Sequence, residues 1–169
     1  MQERGVAPAL SGGMRHGPGA ARRLLVTGAV ALVVVAADQA TKSWAVHRLA
    51  RGPIHVVWKL DLELTYNSGA AFSVAQGWAP VLGAVALVVV LVLLTTARRV
   101  QSTPLALALG LVVGGALGNL ADRVVRSNHG SVIDFVALHF WPTFNVADAC
   151  VVVGGIMAAM LLWRGGPRP

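Results

Sequence analysis

Two uncharged runs dominate the chain: residues 78–97 and 100–121, 20 and 22 residues long and separated only by Arg98-Arg99. A helix needs about 20 mostly apolar residues to cross a bilayer. In hydrocarbon the backbone must satisfy its own hydrogen bonds. The two runs therefore commit the chain to a helical membrane protein. Two shorter runs flank them. Residues 24–41 fill the 18-residue interval between Arg23 and Lys42, and residues 149–163 are 15 long, extended by the turn 145–148. Each reaches spanning length if one aspartate, Asp38 or Asp148, lies at the membrane edge. The expectation is four spans, at about 24–44, 78–97, 102–122 and 145–163. They form one domain over 22–165, with tails at 1–21 and 166–169. Hydrophobic residues make up 56% and charged residues 12% of the chain, against about 25% charged in soluble domains. The net charge of +7 reads as basic span flanks. No basic stripe on a soluble scaffold points to nucleic acid, and none is expected as a partner.

Residues 54–65 have another texture. Ile54, Val56, Trp58, Leu60, Leu62 and Leu64 alternate with His55, Val57, Lys59, Asp61, Glu63 and Thr65, the period-two signal of a half-buried strand. Tyr66-Asn67-Ser68-Gly69 signals a turn, and residues 70–74 can return as a second strand. The fold class is thus an all-α integral membrane protein: four transmembrane helices with a small extracytoplasmic β element, about 52–75, between helices one and two. Arg22-Arg23 followed by an apolar run also has the form of a secretory leader. The run continues into Asp38-Gln39-Ala40-Thr41-Lys42 and three more spans follow, which favours a span. Arg22-Arg23 and Arg98-Arg99, tight against spans, place both termini in the cytoplasm.

With that topology every acidic residue except Glu3 falls on the outer face. Ionisable groups at membrane depth are costly and usually pair or do chemistry. Asp38 and Lys42 are i,i+4 and share a helix face, as do Asn119 and Arg123. Asn145 and Asp148 are i,i+3. Asp122 adjoins Arg123 and needs a different partner. Gly110, Gly114 and Gly118 form a small-residue stripe that lets another helix approach. No HExxH, zinc-spaced His/Cys cluster, GxSxG or phosphate loop is present, so no metal or cofactor is expected. His139 reads as interfacial and Cys150 as a small buried hydrophobe. What remains is carboxylates. Asp134 and Asp148 lie 14 positions apart around a loop at 135–144 containing Pro142. Two aspartates sharing a site cannot both ionise comfortably, and such a pair hydrolyses peptides in aspartic proteases. On spacing alone this is one arrangement among several. A proton-relay carrier would need charges on an access path to both faces, and a passive anchor would need no convergence of polar residues.

Five segments in order carry a resemblance: Asp38-Gln-Ala-Thr-Lys42, Asn67-Ser-Gly69-Ala-Ala-Phe72, Gly114-Gly-Ala-Leu-Gly118-Asn119-Leu-Ala-Asp122-Arg123, Val132-Ile-Asp134-Phe135 and Phe144-Asn145-Val-Ala-Asp148. Together they resemble the bacterial lipoprotein signal peptidase (signal peptidase II) family. The resemblance implies a membrane-embedded aspartic endopeptidase, cutting prolipoproteins on the N-terminal side of a diacylglyceryl-modified cysteine. It implies Asp134 and Asp148 as the catalytic dyad. Asn67, Gly69, Asn119, Arg123 and Asn145 would line or support the site, Asp38 and Lys42 would brace the first span, and Asp122 would pair structurally. It implies a β cradle for the substrate, membrane lipids as surroundings, a monomer, and inhibition by the cyclic peptide globomycin. The segment 124–133 is slightly long for the family. Trp58, Trp78 and Trp141 suit the membrane interface.

Overall fold

The computed structural model describes residues 18–68, 102–126 and 130–164. Residues 78–97, expected as the second span, and Gly69 with the return strand at 70–74 lie outside them. Among the described residues three helices are long and apolar enough to cross a membrane: α1 (Pro18–Leu49), α2 (Thr103–Val125) and α3 (Val146–Arg164). They correspond to the first, third and fourth apolar runs. Helix α1 opens at Pro18, so its first turn uses residues 18–21 of the expected tail. Proline suits this place because its missing N–H is one the helix start cannot use. Helix α2 is capped by Ser102, whose hydroxyl accepts the Leu105 N–H, with Pro104 in its first turn.

Small residues set how closely the helices meet. A Cβ on Gly114 would lie 2.9 Å from Ala31 Cα, and one on Gly118 would lie 2.6 Å from Asp38 Oδ2. The stripe of α2 therefore packs against α1, as its spacing predicts. A Cβ on Gly154 would stand 2.7 Å from the Ala108 carbonyl oxygen, so α3 closes on α2 in the same way.

The β element is larger than its sequence signal. It is one four-stranded antiparallel sheet in the order β1 (Ile54–Val57), β2 (Leu60–Asn67), β3 (Val132–Leu138), β4 (Trp141–Phe144). The alternating segment 54–65 is not one strand. It folds back at Trp58-Lys59, with Trp58 itself in the left-handed region at φ 52. No glycine or asparagine marks that turn, so composition conceals it. The segment expected as a loop at 135–144 is the β3–β4 hairpin. Pro142 suggested a loop, but β4 is an edge strand, where a missing N–H costs nothing. Beneath the sheet, Ala45 and Leu49 at the end of α1 pack with Phe135, ringed by Ile54, Leu62, Leu64, Val136 and Val146. That small core ties β3 to the mouth of the bundle.

Candidate active site

Asp134 lies within β3, paired with Thr65 of β2, while Val132 pairs with Asn67. Residues two apart share a sheet face, so Asn67 stands diagonally beside Asp134. Its Nδ2 donates to Asp134 Oδ2 at 3.0 Å. Asn145 Nδ2 donates to Asp134 Oδ1 at 2.7 Å. Asp134 is 2% exposed. Burial pushes its carboxyl up to about 6. The charge on Asp148 pushes the same way, while the bonds from Asn67 and Asn145 and the charge of Lys42 pull it down.

Asp148 is fixed by the start of α3. Asn145 precedes the helix, and its Oδ1 accepts the Asp148 N–H at 2.9 Å while Asp148 Oδ2 accepts the Asn145 N–H at 3.2 Å. This reciprocal pair is a capping box built from Asn and Asp. It leaves Asp148 Oδ1 to accept from Asn119 Nδ2 at 2.7 Å. Asn145 is fully buried and touches both aspartates. Its Nδ2 also reaches Asn119 Oδ1 at 3.1 Å and the Ile133 carbonyl at 3.3 Å.

A buried ionic cluster backs this arrangement. Lys42 Nζ lies 2.8 Å from both Asp38 and Asp122, with all three side chains fully buried. It also donates to Asn119 Oδ1 at 3.0 Å. Asp38 Oδ1 accepts the Ala147 N–H at 3.0 Å, so α1 caps the first turn of α3. Asp122 Oδ2 accepts the Ile133 N–H at 3.0 Å, which pins β3 beside Asp134. Arg123 is half-buried. Its Nη1 donates weakly to the Asn119 carbonyl at 3.4 Å, and its buried Nε has no hydrogen-bond partner among the described residues. The charges of Asp122, Asp148 and Asp134 all act on it. An apolar cavity of about 350 Å³ opens against Asp148, between Leu138, Phe140, Trp141 and Phe144 of the β3–β4 hairpin and Val152 and Val153 of α3.

Asp38, Lys42, Asn67, Asn119, Asp122, Arg123, Asp134, Asn145 and Asp148 thus meet at one end of the described helices. Two participants went unread. Gln39 donates to Asp122 Oδ1 at 2.9 Å and to the Gly118 carbonyl at 3.1 Å. Arg126 binds Asp122, Gln39 and Ser43. A signal for each was present: Gln39 lies inside the Asp38–Lys42 segment, and Arg126 stands four residues after Asp122, at the cap of its helix. His139 does not enter this cluster. With His55 it binds Asp61 on the exposed side of the sheet.

Two carboxylates wired together through one asparagine, at the end of apolar helices, are the equipment of an aspartic-type enzyme of the membrane, and the protein is of that class. The profile described as signal peptidase (SPase) II matches residues 30–164. The chain belongs to that family. It is 42% identical over 154 residues to the lipoprotein signal peptidase of Mycobacterium tuberculosis, covering 88% of this chain and 76% of the relative. The lipoprotein signal peptidase of Rhodococcus jostii is 44% identical over 149 residues, covering 85% of this chain and 75% of that one. A bacterial membrane enzyme solved by the in meso method at 1.9 Å superposes with TM-score 0.74 at 25% identity, covering 86% of this chain and 95% of that one.

Proposed function

We propose that Asp134 and Asp148 form the catalytic dyad of this peptidase. The observation that carries the reading is Asn145, which holds both carboxyl groups in one hydrogen-bonded frame. Burial favours the proton on Asp134. Asp148, which accepts N–H donors from Asn119 and the Asn145 backbone, takes the role of base. A water between them gives its proton to Asp148 and attacks the scissile carbonyl carbon, while Asp134 donates to the carbonyl oxygen. The tetrahedral adduct collapses as the C–N bond breaks and a proton passes to the leaving nitrogen. Arg123, whose Nε has no partner among the described residues, offers its fork of donors to substrate carbonyls. Asp38, Lys42 and Asp122 hold the frame, Asn67 stands beside Asp134 where the substrate backbone lies, and the resemblance adds Gly69 as a substrate-binding residue.

The enzyme removes signal peptides from prolipoproteins, an activity supported by its family and by the name lipoprotein signal peptidase that its relatives carry. The cut falls on the N-terminal side of a diacylglyceryl-modified cysteine. The apolar cavity beside Asp148 suits such a substrate. In this reading the chain crosses the inner bacterial membrane four times, counting residues 78–97, with both termini in the cytoplasm and the dyad near the outer face. It works as a monomer among membrane lipids and is open to globomycin-type inhibitors.

Cleavage of a lipid-modified precursor by purified protein in detergent tests the dyad. Asp134→Asn and Asp148→Asn each keep the shape and lose the proton exchange, so both should be inactive while still inserted. Substantial activity in Asp148→Asn would overturn the dyad. Orientation is tested separately in a Cys150→Ala background. External thiol reagent should label Lys59→Cys and miss Arg99→Cys, and the reverse pattern would place the site on the wrong face.

A further inference from the structure

We infer that Lys42 is a positioning residue for hydrolysis, because it fixes which end of the Asn119 amide faces Asp148. The inference rests on the reading of Asp148 as a member of the dyad. A carboxamide has one accepting and one donating end, and its two orientations fit the same space. Turned one way, Asn119 gives Asp148 an N–H. Turned the other way, it sets an oxygen against a carboxylate.

Three contacts decide the orientation. Lys42 Nζ, which only donates, meets Asn119 Oδ1 at 3.0 Å. Asn145 Nδ2 meets the same oxygen at 3.1 Å. Asn119 Nδ2 is thereby left for Asp148 Oδ1, at 2.7 Å. Asn145 is itself oriented by groups of single character. The Asp148 N–H can only donate to its Oδ1, and the Ile133 carbonyl can only accept from its Nδ2. Lys42 therefore acts two hydrogen bonds away from Asp148, the group that takes the proton of the reacting water. The other two partners of Lys42 are the carboxylates of Asp38 and Asp122, each 2.8 Å from Nζ, so the group that meets Asn119 is surrounded by acceptors and acts as a donor.

A brace between helices and an orienting donor make different predictions. Lys42→Met alone would strand two buried carboxylates, a strongly destabilising change. Asp38→Asn/Lys42→Met removes one cation and one anion together, and its residue-38 amide oxygen can still cap Ala147. In the full chain this variant should keep its thermal midpoint and KM and lose about 10- to 100-fold in kcat, the effect of one hydrogen bond to a charged group. Adding Asn119→Ala should cost nothing more, because both changes cut the same path.

Asn119→Asp supplies a second readout. It keeps the Lys42 contact but has no N–H for Asp148. Cleavage should fall by a similar factor at neutral pH and recover on the acid side as position 119 takes up a proton. Should Asp38→Asn/Lys42→Met fail to fold, this variant decides alone. The positioning role is overturned by a parental kcat in Asp38→Asn/Lys42→Met, by a loss that multiplies with Asn119→Ala, or by a parental rate in Asn119→Asp at neutral pH. Any of these beside inactive Asp134→Asn and Asp148→Asn variants would remove Lys42 and leave the dyad standing. Active dyad variants would remove the dyad itself.

Discussion

Asp61 and Asp134 sit on adjacent strands of one sheet and are driven in opposite directions. At the outer rim, hydrogen bonds from His139 and then His55 hold the Asp61 carboxyl below its ordinary range. On β3, burial lifts that of Asp134 to about 6, although Asn67 and Asn145 donate to it. Both side chains accept two side-chain hydrogen bonds, so partner number does not explain the difference. Water does: the histidines stand exposed, while Asp134 is closed off by the ends of three helices. Desolvation outweighs hydrogen bonding at the inner position and is outweighed by it at the outer one.

The largest test of this contrast is substitution by asparagine. Asp134→Asn should lower cleavage by about 10²–10⁴-fold, the range of general acid–base catalysis. Combining it with Asp148→Asn should not multiply the loss, because the pair works as a unit. Asp61→Asn should leave cleavage unchanged, and an equal loss there would erase the distinction between rim and interior. Next comes Arg123→Lys, which keeps the charge and loses the planar fork. We expect about a tenfold fall in kcat/KM from the lost donor with normal insertion, and near-parental turnover would take Arg123 out of the site.

The pH profile follows in size. The raised value at Asp134 means that the folded protein binds this proton more tightly than the unfolded chain. The acid form is needed, so kcat/KM of the free enzyme should fall as pH rises through about 6 and the limb should vanish in Asp134→Asn. Between the ordinary value near 3.8 and about 6, the same group makes folding less favourable as pH rises. Asp61 has the opposite sign: its contribution to stability is present above its ordinary value and is lost as pH falls through the lowered one. The smallest effect is Cys150→Ala, a half-buried thiol outside the frame. Its activity should match the parent, and a lost activity there would favour thiol chemistry.

Legibility followed the range of the interaction. Asp38 with Lys42 and Asn145 with Asp148 are local pairs at helical spacing, so their faces could be read directly. The glycine stripe of α2 announced a close neighbour, and α1 fills that place. The link from Asn119 to Asp148 and that from Asn67 to Asp134 join distant segments, and no spacing rule reaches them. The order of familiar segments supplied those residues instead. The β3–β4 hairpin escaped because Val132–Leu138 is buried on nearly every residue. A continuous apolar run shows no alternation, and Pro142 pointed to a loop. The turn at Trp58-Lys59 escaped because a tryptophan takes the conformation usually left to glycine.

The salt links of the buried cluster have a consequence for how the protein is made. Asp38 is followed four residues later by Lys42 within α1, and Asp122 four residues later by Arg126, which caps the end of α2, and each pair is bonded. A nascent segment released into lipid alone thus arrives with its counter-charge aboard, at spacing that an isolated helix can close. Only when α1 and α2 meet does Lys42 also reach Asp122, and only with α3 in place does Asp38 cap Ala147, 109 positions along the chain. Delivery into the bilayer can proceed with each buried carboxylate already paired, and the proposed dyad comes into being with the last piece, after the hazardous stage of synthesis is over.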